Sequence, residues 1–470
     1  MADRMPPKVN ITTTKETPMN LRQSSLVIRH KGELPPTPAL PGSIQTLACR
    51  WMPLAFFEWC RRNYGNRFTL YPIDMQPVVF LSHPSDIRAV LNAPASVLHP
   101  GAGGAAISPI VGRGSFMLKD TEEHMHGRRA ILPEFTMSAL EKHTQMVHDV
   151  VADEVGSWPL DTPFATHPRL RSMSLRIILR TIFDEDPAQL QGLHDNMLNM
   201  LDITESFALV EPRLRHLPIW RGIWRRFTQE REHVDQEIHA LITQRRTALA
   251  GNDLLARLLA TSNPDGTPMT PDQVRDSLVS VILAGHETTA SEIAWALQLL
   301  AHNPTVQSRL ACELDVDRED SYLLATVAEV LRHRPVFLFA IPRVVVEPIE
   351  IRGWTYRPPA QLLACIYLLH HDPQLHGDPH VFRPERFMVD ASPGAWLPWG
   401  GGRKRCPGHR LATLEMQAVT RATLATRVIE PVASTMERAR WRSVIVTPAQ
   451  GGRVLLRKRG SSFLSTRIPG

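Results

Sequence analysis

The chain has 470 residues, 43% hydrophobic and 21% charged, a globular composition that excludes wholesale disorder. Its 53 basic residues, only seven of them lysine, against 47 acidic ones leave a net charge of +6, too small an excess to imply nucleic acid. Five cysteines (Cys49, Cys60, Cys312, Cys365 and Cys406) are odd in number, widely spaced and without a CxxC, which fits a reducing compartment, the cytoplasm, better than a disulfide framework. Residues 1–34 lack apolar periodicity and read as a loose arm, with no run long enough for a signal peptide or membrane anchor.

A short amphipathic helix is expected over 53–64, with Pro53 at its start and Phe56, Phe57 and Cys60 within it. Strand-like stretches follow at 67–71 and 78–81, separated by a turn-prone segment. Residues 95–116, rich in Gly, Ala, Pro and Ser, read as a long loop. From about 120 the pattern turns helical for over two hundred residues. Val234, Ile238, Leu241 and Ile242 share one face of a helix over 230–249. Pro212, Pro218 and the Trp220/Trp224 pair mark a break near 210–222.

Residues 271–302 predict a long apolar helix, capped by Thr270-Pro271-Asp272. A short helix is expected at 321–333 and strands at 343–356, around Arg352-Gly353. A last helix covers 409–428, and 443–458 reads as a hairpin around Gly451-Gly452. The fold class is mainly α with smaller β-sheets near both ends.

The chemistry concentrates in the stretch from Trp396 to Arg410. Gly400, Gly401 and Gly402 allow tight backbone near a flat or bulky group. Cys406 sits beside Arg403, Lys404 and Arg405 at a helix N-terminus, which favours a thiolate, either a nucleophile or a metal ligand. Trp399-x-x-Gly402-x-Lys404-x-Cys406-x-Gly408 resembles the haem-binding loop of the cytochrome P-450 superfamily. It has Trp where the family usually has Phe, and Lys where Arg is usual; lysine keeps the charge but loses the bidentate fork. The resemblance implies the cytochrome P-450 fold, haem b (protoporphyrin IX iron) as cofactor, and Cys406 as the axial ligand.

Further motifs extend the resemblance from about residue 34 to 459. Ala284-Gly285-His286-Glu287-Thr288-Thr289 is similar to the family's oxygen-binding pattern. Gly285 would thin the helix, and Glu287 and Thr288 would form an acid–alcohol pair that delivers protons to the oxygen being reduced. Glu329-x-x-Arg332 on a helix, with Arg386 in Phe382-Arg-Pro-Glu-Arg-Phe387, resembles the family's structural ion-pair network. His124, Arg128 and Arg343 resemble the residues that reach the haem propionates, and with Trp399, Gly400, Lys404 and Gly408 they form the expected cofactor set.

Residues 35–460 would then form a single haem domain, helix-rich with a smaller β-rich part, between the arm at 1–34 and a tail at 461–470. Two departures fall in loops, at 313–321 and 357–361.

The resemblance implies a monooxygenase that inserts one oxygen atom from molecular oxygen into a small apolar substrate. Electrons would come from a separate ferredoxin or flavodoxin with its reductase. That donor would be steered to a cationic group of Arg403, Lys404, Arg405, His409 and Arg410, with Arg129 beside it. By the same resemblance the pocket is lined by the 95–116 loop, a lid at 205–222, Val281, Ala284 and an apolar wall of Phe337, Leu338 and Phe339. A monomer without a nucleic-acid partner is expected, with a role in secondary metabolism. Alternatives are a peroxygenase, C–C or C–O coupling, or a non-catalytic haem protein. A further one is a metal hydrolase built on His370, His371, Asp372, His376, Asp378 and His380.

Overall fold

The structure is a computed structural model and describes residues 27–28, 34–73, 75–204, 218–248, 251, 253–316, 320–389 and 394–460. Nearly all of the arm over 1–34 lies outside the described residues, as do 205–217 of the lid, 317–319 of the 313–321 connection and the tail at 461–470.

Helix α1 (Gly42–Trp51) leads into the expected helix Pro53–Tyr64. Beyond the first strands come α2 (Thr121–Ile131), Met137–Gly156, α3 (His167–Phe183) and Gln191–Ile203. Helix Pro218–Ala248 begins at Pro218, so the break expected near 210–222 does not include Trp220 and Trp224, which lie inside a helix. Then follow α4 (Pro271–His302), α5 (Ser321–His333) and α6 (His409–Thr426).

Helix α4 is the organising element. Thr270 caps it in a reciprocal box: its hydroxyl accepts from Gln273 N at 3.2 Å while Gln273 Oε1 accepts from Thr270 N at 2.8 Å. Leu278, Ile282, Ile293, Trp295 and Leu297 are buried around its circumference, as expected of a helix with no solvent face. Each such side chain contributes roughly 2 kcal/mol of burial. Met173 and Ile177 of α3 and Met416 and Val419 of α6 complete the same core.

The sheets are small and peripheral. A five-stranded sheet runs in the order Arg67–Leu70, Val78–Leu81, Gln361–Ala364, Arg343–Val345, Leu98–His99. Its one parallel pair joins Val78–Leu81 to Gln361–Ala364, with Val79 opposite Leu362; the other pairs are antiparallel. Ile349–Ile351 and Trp354–Tyr356 form the hairpin expected around Arg352-Gly353, both turn residues having positive φ.

Two expectations are corrected. The 95–116 stretch is a chain of short helical turns, Pro100–Gly103, Ala105–Ile107 and Ser108–Val111, rather than open loop. No hairpin forms around Gly451-Gly452: Ile445–Pro448 pairs back with Ala439–Arg442, whereas Arg453–Lys458 pairs with Arg427–Pro431 in another sheet. Gly452, at φ +67°, turns the chain between the two sheets, where a Cβ would lie 2.9 Å from Thr166 Oγ1. The last helix likewise stops at Thr426, because 427 and 428 belong to the strand that follows.

Candidate active site

The cysteine loop enters α6. Cys406 N donates to Trp399 O at 2.9 Å, closing the loop on itself, and the Trp399 and His409 rings lie 6.1 Å apart. Burial pushes the Cys406 thiol up. The backbone N–H groups of Gly408 and His409 and the guanidiniums of Arg128 and Arg405 oppose this without cancelling it. The sequence reading had credited Arg403 and Lys404; the structure puts Arg128, from α2, in that place.

Two of the glycines before the cysteine let the loop pack closely on a neighbouring helix. A Cβ on Gly402, at φ +62°, would lie 2.1 Å from Leu91 O, and one on Gly401 would lie 2.9 Å from Leu91 Cδ1. Both positions admit helix Pro84–Asn92. Gly400 has the same φ but open space beside it.

Lys404 and His124 face each other. Lys404 Nζ donates to Met117 O at 2.9 Å and to Lys119 O at 2.9 Å and lies 3.0 Å from His124 Nδ1. His124 Nδ1 also faces Phe116 O at 2.9 Å and its Nε2 faces Arg403 O at 3.3 Å, so the ring is held between two carbonyls and the lysine. Burial pushes Lys404 down to about 7 despite Asp120. These two side chains, expected on a propionate, tie the 116–119 turn to the cysteine loop.

Arg128 and Arg343 differ. Among the described residues neither forms an ion pair with a carboxylate. Arg343 is 5% exposed, and its one hydrogen bond goes to Ile341 O at 2.5 Å. Burial depresses it to about 10, only partly offset by Asp120. Arg128 is lowered by burial as well, with Cys406 opposing. Arg343 is thus a buried guanidinium and Arg128 a half-buried one, both without a paired carboxylate.

Across the core, Gly285 lets α4 pack closely on α3. Its missing Cβ admits Ile178 of α3, whose Cδ1 would lie 2.9 Å away. Thr288 Oγ1 donates to Ala284 O at 2.8 Å and Thr289 Oγ1 to Gly285 O at 3.0 Å, two consecutive back-bonds that loosen the helix there. Ala284 is exposed and Val281 is buried.

Glu287 is held by residues the sequence reading missed. Arg171 Nε donates to Oε2 at 2.6 Å, and Arg442 Nε lies 2.6 Å from Oε1. His286 and His167 stand at 3.4 and 3.5 Å. Burial alone would raise the carboxyl, but His286, Arg171 and Arg442 outweigh it and hold it well below the usual carboxylate range. Arg171 is one of four arginines in α3, so nothing local in the sequence singles it out.

The 108–118 segment is clasped to α4: Asp276 Oδ2 accepts from Gly114 N at 2.8 Å, and the Ser115 and Ser280 hydroxyls meet at 2.6 Å. The expected apolar wall is only partly there. Leu338 and Phe339 pack into a separate core with Phe56, Phe57, Phe80 and Trp441, leaving Phe337.

Glu329, Arg332 and Arg386 converge. Arg332 binds Glu329 at 2.7 and 2.8 Å, both fully buried, and Arg386 Nε reaches Glu329 Oε1 at 3.2 Å. The histidines downstream are spent individually. His370 Nε2 accepts from Leu397 N, His371 Nδ1 meets Tyr367 O and His376 Nε2 meets Ala395 O. Among the described residues no three of these potential ligands gather closely enough to hold a metal.

Residues 34–455 match the family profile described as cytochrome P-450. The proteins named cytochrome P-450 135B1 of Mycobacterium tuberculosis and Mycobacterium bovis are 33% identical over 437 residues, 90% of this chain and 91% of theirs. Cytochrome P-450 137 of Mycobacterium tuberculosis is 30% identical over 402 residues, 84% of each chain. The fold is that of a retinoic acid-bound cyanobacterial CYP120A1, with TM-score 0.79 and 21% identity over 91% of this chain and all of that one. The cytochrome P450DA heme domain matches at TM-score 0.78 and 20% identity, over 92% and 99% of the two chains.

Fold and relatives together define a haem-dependent monooxygenase. The chain belongs to the cytochrome P-450 family. The residues fit its haem: a thiol under N–H groups and cations, with one buried and one half-buried guanidinium that lack carboxylates, matches an iron porphyrin with two propionates. Among the described residues no helix is long and apolar enough to cross a membrane.

Proposed function

We propose that Cys406 is the axial ligand and that Arg128 and Arg343, rather than Lys404 and His124, carry the propionates. The observation behind this reading is the buried Arg343 and half-buried Arg128, both lacking carboxylates, with a thiol under backbone N–H groups. The bound haem supplies activation of molecular oxygen with two electrons and transfer of one oxygen atom to a C–H or C=C group. The chain's residues do the rest. Gly408 and His409 N–H and Arg128 favour the thiolate. Thr288 holds its hydroxyl on the loosened turn of α4, its lone pair facing away from Ala284 O and able to accept a proton donor.

The substrate is a small apolar molecule, a reading supported by Ala284, Val281 and Phe337 and by the shortage of polar groups among them. Electrons come from a separate acidic ferredoxin or flavodoxin. Arg405 and Arg410 are exposed beside the cysteine loop, and Arg129 and Arg403 share one exposed partner, Glu122, at 3.8 and 3.9 Å. We place the enzyme in the cytoplasm, in secondary metabolism.

The test is the carbon-monoxide difference spectrum of the reduced protein. A Soret band at the thiolate position is expected, and Cys406→His should move it to the imidazole position. An unchanged band in that variant would assign the ligand elsewhere.

A further inference from the structure

The turn between Ile349–Ile351 and Trp354–Tyr356 is built on an unusual residue. Its first position has φ +48°, where asparagine, aspartate or glycine is favoured, and it holds Arg352. The side chain of Arg352 lines a cavity of about 410 Å³, within the size range of small-molecule sites. The cavity lies where helix Pro53–Tyr64, strand Arg67–Leu70 and helix Pro84–Asn92 meet the hairpin, and Tyr64, Arg67, Asp86 and Trp354 face it from those four elements. None of its lining residues belongs to the cysteine loop, to the Thr288 turn of α4 or to the Arg128 and Arg343 pair, so it is separate from the haem site.

The charges in the cavity do not balance. Arg67 donates to Asp86 from Nε and Nη2, both at 2.6 Å, and from Nη1 to Arg352 O at 3.3 Å. Arg352 Nη1 donates to His83 Nδ1 at 2.7 Å and stands 3.6 Å from Asp86 Oδ1. His83 Nδ1 also accepts from Ser85 N at 3.2 Å, so that nitrogen carries no proton and the ring is neutral. Burial and Arg352 both hold His83 below its ordinary value. Two guanidiniums thus share one carboxylate, which leaves one positive charge over. Among the described residues Arg352 Nε and Nη2 donate to nothing, and that edge is the one that grips a carboxylate through two parallel N–H bonds. Asn66 Oδ1 accepts from Ser82 Oγ at 3.0 Å, and its NH2 is uncommitted among the same residues. Trp354 and Tyr64 supply flat apolar walls.

We infer that this cavity is a second small-molecule site, for a flat organic monoanion of the aromatic carboxylate class. The carboxylate lies on the Nε and Nη2 edge of Arg352 beside the Asn66 amide, and the ring lies against Trp354 and Tyr64. Asp86 keeps the excess at one charge, which matches a monoanion rather than a multiply charged phosphate. The helix that brings Asp86 to the cavity brings Leu91 to the cysteine loop, so an occupant sits at one end of the helix on which that loop packs.

The test is equilibrium dialysis of the haem-loaded full chain against naphthoate, with phenylimidazole occupying the space over the iron. One equivalent of naphthoate is expected to bind, and naphthylmethanol, the same ring without the charge, on the order of tenfold more weakly. Arg352→Asn installs a residue that the turn favours, so it should keep the carbon-monoxide spectrum while weakening naphthoate binding on the order of tenfold. Asn66→Asp keeps the side-chain shape and its acceptor for Ser82, and should weaken binding by a similar factor through repulsion. Absence of naphthoate binding overturns the inference, as does binding that Arg352→Asn and Asn66→Asp both retain. Equal affinity for the alcohol would show that the charge is not read, and displacement by an equal concentration of acetate that the ring is not; either result overturns it as well.

Discussion

Arg171 Nε donates to Glu287 Oε2 at 2.6 Å, and the guanidinium's other side reaches Asp202 Oδ1 at 2.5 Å. Arg442 bridges the same two carboxylates from the opposite direction, at 2.6 Å to Glu287 and 2.9 Å to Asp202. Glu287 is thus an anion locked between two cations, and it gives up no proton while these pairs hold. Glu287→Gln leaves two guanidiniums with one exposed carboxylate and should cost about 3 kcal/mol, read as a lowered denaturation midpoint of the holoprotein. The folded carboxyl titrates below its unfolded value of about 4.3, so this contribution is present above that pH and fades as the solution is acidified further.

Thr288 is the hydroxyl on the same turn that is not committed to an ion pair. Thr288→Ala should leave the carbon-monoxide spectrum intact while product per electron consumed falls on the order of tenfold. Thr288→Ser should restore most of it. Unchanged coupling in the alanine variant would remove Thr288 from proton delivery.

Gly400 and Gly402 share φ +62° but not their surroundings, so they separate backbone strain from collision. Gly400→Ala should cost about 1 kcal/mol and keep the haem spectrum. Gly402→Ala drives a methyl onto the Leu91 carbonyl and should abolish the thiolate Soret band. Equal behaviour of the two would contradict the packing of the loop on Leu91.

Lys404 Nζ donates to two carbonyls beside His124 Nδ1, a compact arrangement that an ammonium fits and a planar guanidinium does not. Lys404→Met should destabilise by about 2 kcal/mol, and Lys404→Arg should recover only part of it. Full recovery with arginine would favour a propionate contact, which the resemblance implied for this position.

Glu415 of α6 is 1% exposed, and burial pushes its carboxyl up to about 8 despite a hydrogen bond from Ser174. The folded state therefore holds a proton that the unfolded chain releases above about 4.3. Stability should fall as pH rises from about 5 to about 8 and then level off. Glu415→Gln should flatten that slope, as measured by denaturant midpoints across this range.

Much of the fold is legible in the sequence because its signals are local. The Thr270 cap predicts where α4 starts, and Arg352-Gly353 predicts its hairpin. Helix α1 escapes, because a helix with glutamine inward and leucine outward inverts the pattern used to find helices. The Gly451-Gly452 hairpin fails for a related reason: a pair of glycines marks a turn but not which strands it joins. Within the site the motif letters locate Cys406, Thr288 and Glu287 but not their settings. Arg171 stands 116 positions from Glu287, Arg343 takes its burial from packing, and the close neighbour of Gly402 is a carbonyl far back in the chain.

The strand Ala439–Arg442 carries Trp441 to Cys49 and Arg442 to Glu287, and Arg453–Lys458 closes a sheet with Phe164–Ala165. During vectorial synthesis, then, α1 and the middle of α4 wait for contacts supplied by strands made well after them. Arg171 precedes Glu287 in the chain, but the carboxylate's second counter-charge, Arg442, follows only after all of α4, α5 and α6. A nascent chain stalled before Arg442 exposes both an unfastened α1 and a half-neutralised carboxylate, and its ability to retain haem should rise sharply once that strand emerges.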